Sequence, residues 1–225
     1  LSMPDFSFEA IGTAWTVSTA APLTVQERAA LAEAVESYDR TYSRFRQDSA
    51  IAPLAAAPGT VDLPVTAAPL LSLFDTLHRL SGGAVNPLVG SSLEKLGYDA
   101  AYSFASAGPS PAPDWAASAS WQALGDRTVL NTSVPVTFDI GAAGKGQLVD
   151  LVFELLHASG HRELTVDAGS DLRHSGPRPL RVALEHPYDT TRAVGVLPLH
   201  NRALCASASN RRQWGDGLHH IVDAG

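Results

Sequence analysis

Residues 139–146 place a carboxylate, a glycine-rich bend and a lysine in succession: Asp139-Ile140-Gly141-Ala142-Ala143-Gly144-Lys145-Gly146. These residue types at this spacing suit anionic oxygens. Lysine supplies a point charge, and unpaired amides at a helix start, reached through a glycine-rich bend, can cradle phosphate. Pro135 to Ile140 reads as a strand, and Gln147 to His157 as a helix with Leu148, Leu151, Val152, Leu155 and Leu156 on one face. Two familiar phosphate loops do not fit. A Walker loop needs glycine five positions before its Gly-Lys pair and Ser or Thr after the lysine, where this chain has Asp139 and Gly146. The dinucleotide fingerprint needs G-x-G-x-x-G, whereas Gly141, Gly144 and Gly146 are spaced three and then two. On spacing alone, an ordinary glycine-rich turn stays open.

The elements that must position this segment follow from periodicity and punctuation. Phe6 to Thr19 reads as a strand or pair of strands, with Phe6, Phe8, Trp15 and Val17 as core candidates. Thr24 with Glu27 forms a capping box, and Leu31, Val35, Tyr38, Tyr42 and Phe45 recur at helical spacing. A second helix is expected from about Pro69 to Leu80, with Leu70, Phe74 and Leu77 inward and a stop at Ser81-Gly82-Gly83. Ala105 to Pro113 reads as an exposed loop without chemistry, and Gly125-Asp126-Arg127 as a hairpin. Ser159-Gly160 ends the third helix, and Leu164-Thr165-Val166 opens a strand. Leu180 to Leu184 and Val194 to Leu199 are expected to extend the sheet, and Ala203 to Ala206 to run as a buried strand. Hairpins mixed with separated helices predict an α+β fold with a mostly antiparallel sheet.

Composition narrows the function. A net charge of −7 without a basic block argues against a nucleic-acid surface, and the short pair Arg211-Arg212 does not alter that. Cys205 is the single cysteine, so an internal disulfide and a cysteine-based zinc cluster are excluded. It reads as an inert buried thiol. No apolar run approaches the roughly 20 residues of a membrane span. Leu1-Ser2-Met3-Pro4 shows no signal-peptide pattern, which predicts a cytoplasmic protein or an exported one with its signal removed.

The order of punctuated motifs resembles the ApbE family of flavin transferases, nearly end to end. The motifs are Ile11-Gly12-Thr13 in the first strand, Tyr42-Ser43-Arg44-Phe45-Arg46 with Ser49, and Gly83-Ala84-Val85-Asn86-Pro87-Leu88-Val89-Gly90. The Asp139 to Asp150 stretch follows, then Val166 to Asp171 with Gly176, and His219-His220-Ile221-Val222-Asp223. The resemblance implies transfer of FMN from FAD to a Thr or Ser hydroxyl of an acceptor protein, with AMP released and Mg²⁺ bridging phosphate oxygens. It also implies a single domain over residues 1–225 that lacks its C-terminal part, where the family holds an Asp and a Thr for the metal.

Carried over by motif, Asp139 and Lys145 contact FAD, together with Ile11, Phe45, Ala84, Val85, Asn86 and Val222, while the carbonyl of Ala142 is a metal ligand. His220 is the expected proton acceptor and Asp223 completes its segment; imidazole can take a hydroxyl proton near neutral pH. The chain departs from the family at Val85-Asn86, where Phe-Asp is usual, at Ile11 and Phe45, where Met and Tyr are common, and at Ser170, which replaces a glycine. Two alternatives use the same residues: a pyrophosphatase splitting FAD into FMN and AMP, and a module that binds FAD without chemistry.

Overall fold

The computed structural model describes residues 3–209 and 212–225, so Leu1, Ser2 and Arg211, which the sequence reading used, lie outside the described residues. Strands β1 (Asp5–Ala10) and β2 (Thr13–Thr19) precede helix α1 (Val25–Tyr42). Then come β3 (Thr60–Pro64), α2 (Ala67–Leu80), α3 (Gly90–Lys95), α4 (Trp115–Ser118), β4 (Ala119–Leu124) and β5 (Arg127–Thr132). Helix α5 (Gly144–Ala158) is followed by β6 (Leu164–Asp167), β7 (Asp171–Ser175), β8 (Leu180–His186), β9 (Asp189–Leu199), β10 (Arg202–Cys205), β11 (Gln213–Trp214) and β12 (Leu218–His219). Every strand pair is antiparallel, so the α+β expectation holds. No helix among the described residues is long and apolar enough to cross a membrane.

The chain gathers into two compact units. One comprises Leu1–Glu36 and Lys145–Asn210. Its five-stranded sheet runs in the order β1-β2-β6-β7-β10, with Trp15, Val17, Leu164 and Val166 buried. Ile11 and Gly12 form the two-residue turn between β1 and β2, both with positive φ, the geometry that matches strand twist in a tight hairpin. Ile11 therefore sits at a turn rather than within the first strand. Helix α5 lies against β7 through Arg173, which reaches Asp150 at 2.8 Å and Glu154 at 2.7 Å and covers the Phe153 ring. Capping at α1 is reciprocal: Thr24 N–H donates to Glu27 Oε2 at 2.7 Å, and Glu27 N–H to Thr24 Oγ1 at 3.2 Å.

Three further expectations in this unit are corrected. Helix α5 starts at Gly144 rather than Gln147, and its buried face is Leu148, Val149, Val152, Phe153 and Leu156, with Leu151 and Leu155 only half-buried. Strands β8 and β9 pair with each other as a separate hairpin instead of extending the sheet. Strand β10 is the sheet edge, paired among the described residues with β7 alone, so Cys205 is exposed rather than buried.

The other unit comprises Ser37–Gly144 and Arg211–Gly225. Its three-stranded sheet, β3-β5-β4, carries the two-residue Gly125-Asp126 hairpin. Helix α2 begins at Ala67, two residues before the expected Pro69, because proline is accommodated in a first turn where its missing N–H costs nothing. Ala67, Leu70, Leu71 and Phe74 are its buried residues, and Leu77 is half-buried. Gly83 N–H closes the helix onto His78 O at 2.8 Å while Gly82 takes φ 64°, the Schellman arrangement. Asp75 accepts from the indoles of Trp115 (2.6 Å) and Trp121 (2.9 Å), joining α2 to α4 and β4.

Candidate functional site

Pro135 to Ile140 buries Val136 and Phe138 but belongs to no sheet strand. Its amides find isolated partners instead of a ladder: Val136 N–H donates to Leu54 O at 2.8 Å and Asp139 N–H to Pro87 O at 2.7 Å. Gly90 N–H donates back to Thr137 O at 3.1 Å. This pairing delivers Asp139 to the bend. Its Oδ1 accepts from Gly141 N–H at 2.6 Å, a local turn bond, and its Oδ2 from Arg44 Nε at 2.6 Å. Both carboxylate oxygens thus have protein partners.

Arg44 stands in the Tyr42 to Arg46 motif, but the sequence assigns it no role in the site. Its side chain is 3% exposed, and Nη2 donates to Tyr98 O at 2.8 Å. The guanidinium lies 4.1 Å from the Phe45 ring centroid and 5.0 Å from that of Tyr98. Glu94 Oε1 stands 3.7 Å from Nη1, and burial pushes that carboxyl's pKa up while Arg44 pulls it down. The signal was present in Ser43-Arg44-Phe45, but nothing in the sequence marks which arginine will be buried.

Around Arg44 the aromatic rings form a continuous set. Phe45 stacks on Tyr102 (5.5 Å, 9° between planes) and meets Tyr98 edge-on, and Tyr98 stacks on Trp214 (5.7 Å, 23°). Trp214 donates its indole N–H to Leu96 O at 2.7 Å, and Arg212 hydrogen-bonds the Tyr98 hydroxyl. Phe45 and Val222, two predicted flavin contacts, pack on the same Leu93, Tyr98 and Trp214 core. Tyr102 and Phe104 remain about half exposed on this set.

The C-terminal predicted residues meet the Ala84 loop. Ala224 N–H donates to Ala84 O at 3.3 Å, while Ala224 O accepts from Ala112 N–H at 2.9 Å. Val222 and Asp223 line a cavity of about 200 Å³ with Ser92, Leu96, Ser110 and Gly225. Asp223 is exposed and accepts from Gly225 N–H at 3.0 Å. His220 is half-buried at the bend after β12. Asn86, 7% exposed, accepts from Leu88 N–H at 2.8 Å and donates to Pro113 O at 2.9 Å, so its amide holds two loops together. Val85 is anchored through its N–H to Ser81 Oγ at 2.9 Å.

Lys145 belongs to the first unit, in the opening turn of α5, whose first amide, Gly144 N–H, donates to Ile140 O at 2.6 Å. Its ammonium lies 3.0 Å from Asp171 Oδ2 and also hydrogen-bonds Ser170 Oγ. Ser170 donates to Asp171 Oδ2 at 3.0 Å. Burial and a hydrogen bond to Asp171 push the Cys205 thiol up to about 11, so it stays neutral at physiological pH. Asp171 and Ser170 were named by motif; their bonding to Lys145 was not legible.

Ala142, the predicted metal ligand, is exposed in the bend. Among the described residues no group of three or more His, Cys, Asp or Glu could hold a metal ion. One backbone carbonyl does not make an octahedral magnesium site, so the described residues do not fit a protein-built cage.

The sequence model of the ApbE family matches residues 11–225. The chain belongs to the ApbE family. It is 33% identical over 103 residues to the FAD:protein FMN transferase of Rhodobacter capsulatus, a stretch covering 43% of this chain and 20% of that protein. The match thus spans about one fifth of that curated relative's length. Among solved ApbE structures, the Thermotoga maritima protein superposes with a TM-score of 0.82 at 21% identity, covering 99% of this chain and 76% of that one. The flavin transferase ApbE of Vibrio cholerae superposes with a TM-score of 0.77 at 20% identity, with the same coverages. At these identities the ApbE structures establish a shared fold.

Proposed function

We propose that the chain transfers FMN from FAD to a Thr or Ser hydroxyl of an acceptor protein, with release of AMP. The observation that carries this reading is ApbE family membership over residues 11–225, with Lys145 in the first turn of α5 as the local support. Splitting the FAD pyrophosphate by an alcohol is phosphoryl transfer, which demands charge neutralisation and positioning more than covalent chemistry. Lys145 supplies a positive charge to the diphosphate. His220 takes the proton of the incoming hydroxyl, and Asp223 supports that segment. Phe45 and Val222 offer apolar contact to the flavin, and Ala84 and Val85 add surface to it. Asn86 and Asp139 act by fixing the loops that carry these contacts, since their polar atoms already have protein partners.

Magnesium dependence belongs to the same proposal, with Ala142 O as one ligand. The test is incubation with FAD and Mg²⁺, with and without a peptide carrying the Asp-Gly-x-Ser/Thr-Gly-Ala-Thr pattern, followed by mass spectrometry. A peptide that gains FMN with matched AMP supports transfer. AMP without a labelled peptide or protein indicates a pyrophosphatase, and FAD binding without AMP leaves a binding module. Loss of labelling in EDTA, restored by Mg²⁺, checks the metal requirement.

A further inference from the structure

We propose that Ser170 is itself an FMN acceptor, so that the chain flavinylates its own β6–β7 turn; this rests on the flavin-transfer reading above. The hydroxyl lies between opposite charges. It accepts a hydrogen bond from the Lys145 ammonium and donates to Asp171 Oδ2 at 3.0 Å, while Lys145 and Asp171 are themselves 3.0 Å apart. A hydroxyl whose proton points at a carboxylate and whose lone pair faces a cation is set up as a nucleophile, with base and charge stabiliser in place.

The backbone keeps it there. Ala168 N–H donates to Asp171 O at 2.8 Å, Gly169 N–H to Asp167 Oδ1 at 2.7 Å, and Ala206 N–H to Ser170 O at 2.7 Å. Ser170 is only half-buried, so a substrate phosphate can approach it. Lys145, the residue assigned to the diphosphate, thus already touches a polarised alcohol of the kind the transferase reading uses as acceptor. A purely structural ion pair between Lys145 and Asp171 has no need of this hydroxyl.

The step balances without a further reactant. Ser170 Oγ forms a bond to the phosphorus of the FMN half of FAD, and the bond from that phosphorus to the bridging oxygen breaks. The oxygen leaves with AMP, carrying the electron pair of the broken bond. The hydroxyl proton passes to Asp171 Oδ2 and on to solvent, and Lys145 offsets the charge on the phosphate oxygens.

The experiment is incubation of the purified chain with FAD and Mg²⁺ in two arms, one without any acceptor and one with the acceptor peptide, followed by denaturation, intact mass and peptide mapping. Expected without acceptor is one covalent FMN per chain, mapped to Ser170, with AMP released in step. Ser170→Ala is expected to lower the covalent flavin at least about tenfold, and Ser170→Thr, which keeps a hydroxyl, to retain it. Asp171→Asn is expected to slow self-labelling about 100-fold, a loss of the size a general base contributes. A chain that labels the peptide yet carries no flavin on Ser170 overturns this proposal and leaves the transferase reading standing. Flavin mapped to another residue, Cys205 included, also overturns it. No AMP in either arm brings down both.

Discussion

Arg44 Nε meets Asp139 Oδ2 at 2.6 Å, with the arginine side chain 3% exposed and the aspartate 13%. The pair joins the Ser43-Arg44-Phe45 turn to the bend that leads into α5, across 95 residues of sequence. Arg44 Nη1 is buried and has no hydrogen-bond acceptor among the described residues, so the guanidinium depends on this carboxylate, on Tyr98 O, on the two ring faces and on Glu94 at 3.7 Å.

Removing Asp139 leaves the buried Arg44 charge, among the described residues, only the more exposed Glu94 carboxylate, 3.7 Å from Nη1, and removing Arg44 leaves Asp139 without its cation. Asp139→Ala is expected to cost about 3–5 kcal/mol of stability, and Arg44→Met, which keeps much of the volume, less. Urea denaturation followed by tryptophan fluorescence measures both. An Asp139→Ala loss under about 1 kcal/mol, the range of surface pairs, would show that the pair is solvated rather than buried.

Gly90 is required by packing. A Cβ there would stand 2.5 Å from Thr137 O and 2.7 Å from Thr137 Cγ2, whereas one at Gly146 would meet nothing nearer than 3.6 Å. Gly90→Ala is therefore expected to destabilise by about 1–3 kcal/mol through overpacking, and Gly146→Ala to leave the melting temperature nearly unchanged. Differential scanning calorimetry of the two variants reads this contrast, and equal melting temperatures would refute it.

Cys205 is exposed yet slow to ionise. Burial of the thiol and its hydrogen bond to Asp171 raise its pKa to about 11, so the thiolate fraction at a given pH is smaller than for a free cysteine. Iodoacetamide alkylation is expected to be slow at neutral pH and to climb as pH approaches 11. Asp171→Asn removes the repelling charge and is expected to speed alkylation at neutral pH. A rate that already levels off at pH 9 would contradict the shift.

Lys145 and His220 are expected to separate binding from chemistry. Loss of a charge-assisted phosphate contact in Lys145→Ala costs about 1.5–3 kcal/mol, or about 10–100-fold in FAD affinity, and slows turnover as well. His220→Ala is expected to keep most FAD affinity and to lower turnover by about 100-fold or more. Isothermal titration calorimetry with FAD, beside AMP release under saturation, distinguishes them. Matching losses of affinity in both variants would show that the two roles are not separate.

Local signals were enough for much of the fold. The Thr24/Glu27 capping box, the Gly82-Gly83 helix stop, the Gly125-Asp126 hairpin and the Gly160 helix end are each written in a few adjacent residues, because caps and tight turns depend on side chains and φ values close in sequence. The order of motifs was likewise sufficient to indicate the family. What sequence left open was every choice made by distant partners. The Pro135 to Ile140 alternation is strand-like, but its amides bond to Leu54 and Pro87, so no ladder forms. Cys205 sits in an apolar run, yet edge placement exposes it. Arg44 looks like any charged residue until Asp139, Tyr98 and Phe45 surround it, and Ser170 like any turn serine until Lys145 arrives from α5. Periodicity and capping are short-range, whereas burial, ion pairing and the polarity around a hydroxyl are set by residues that only the tertiary structure brings within bonding distance.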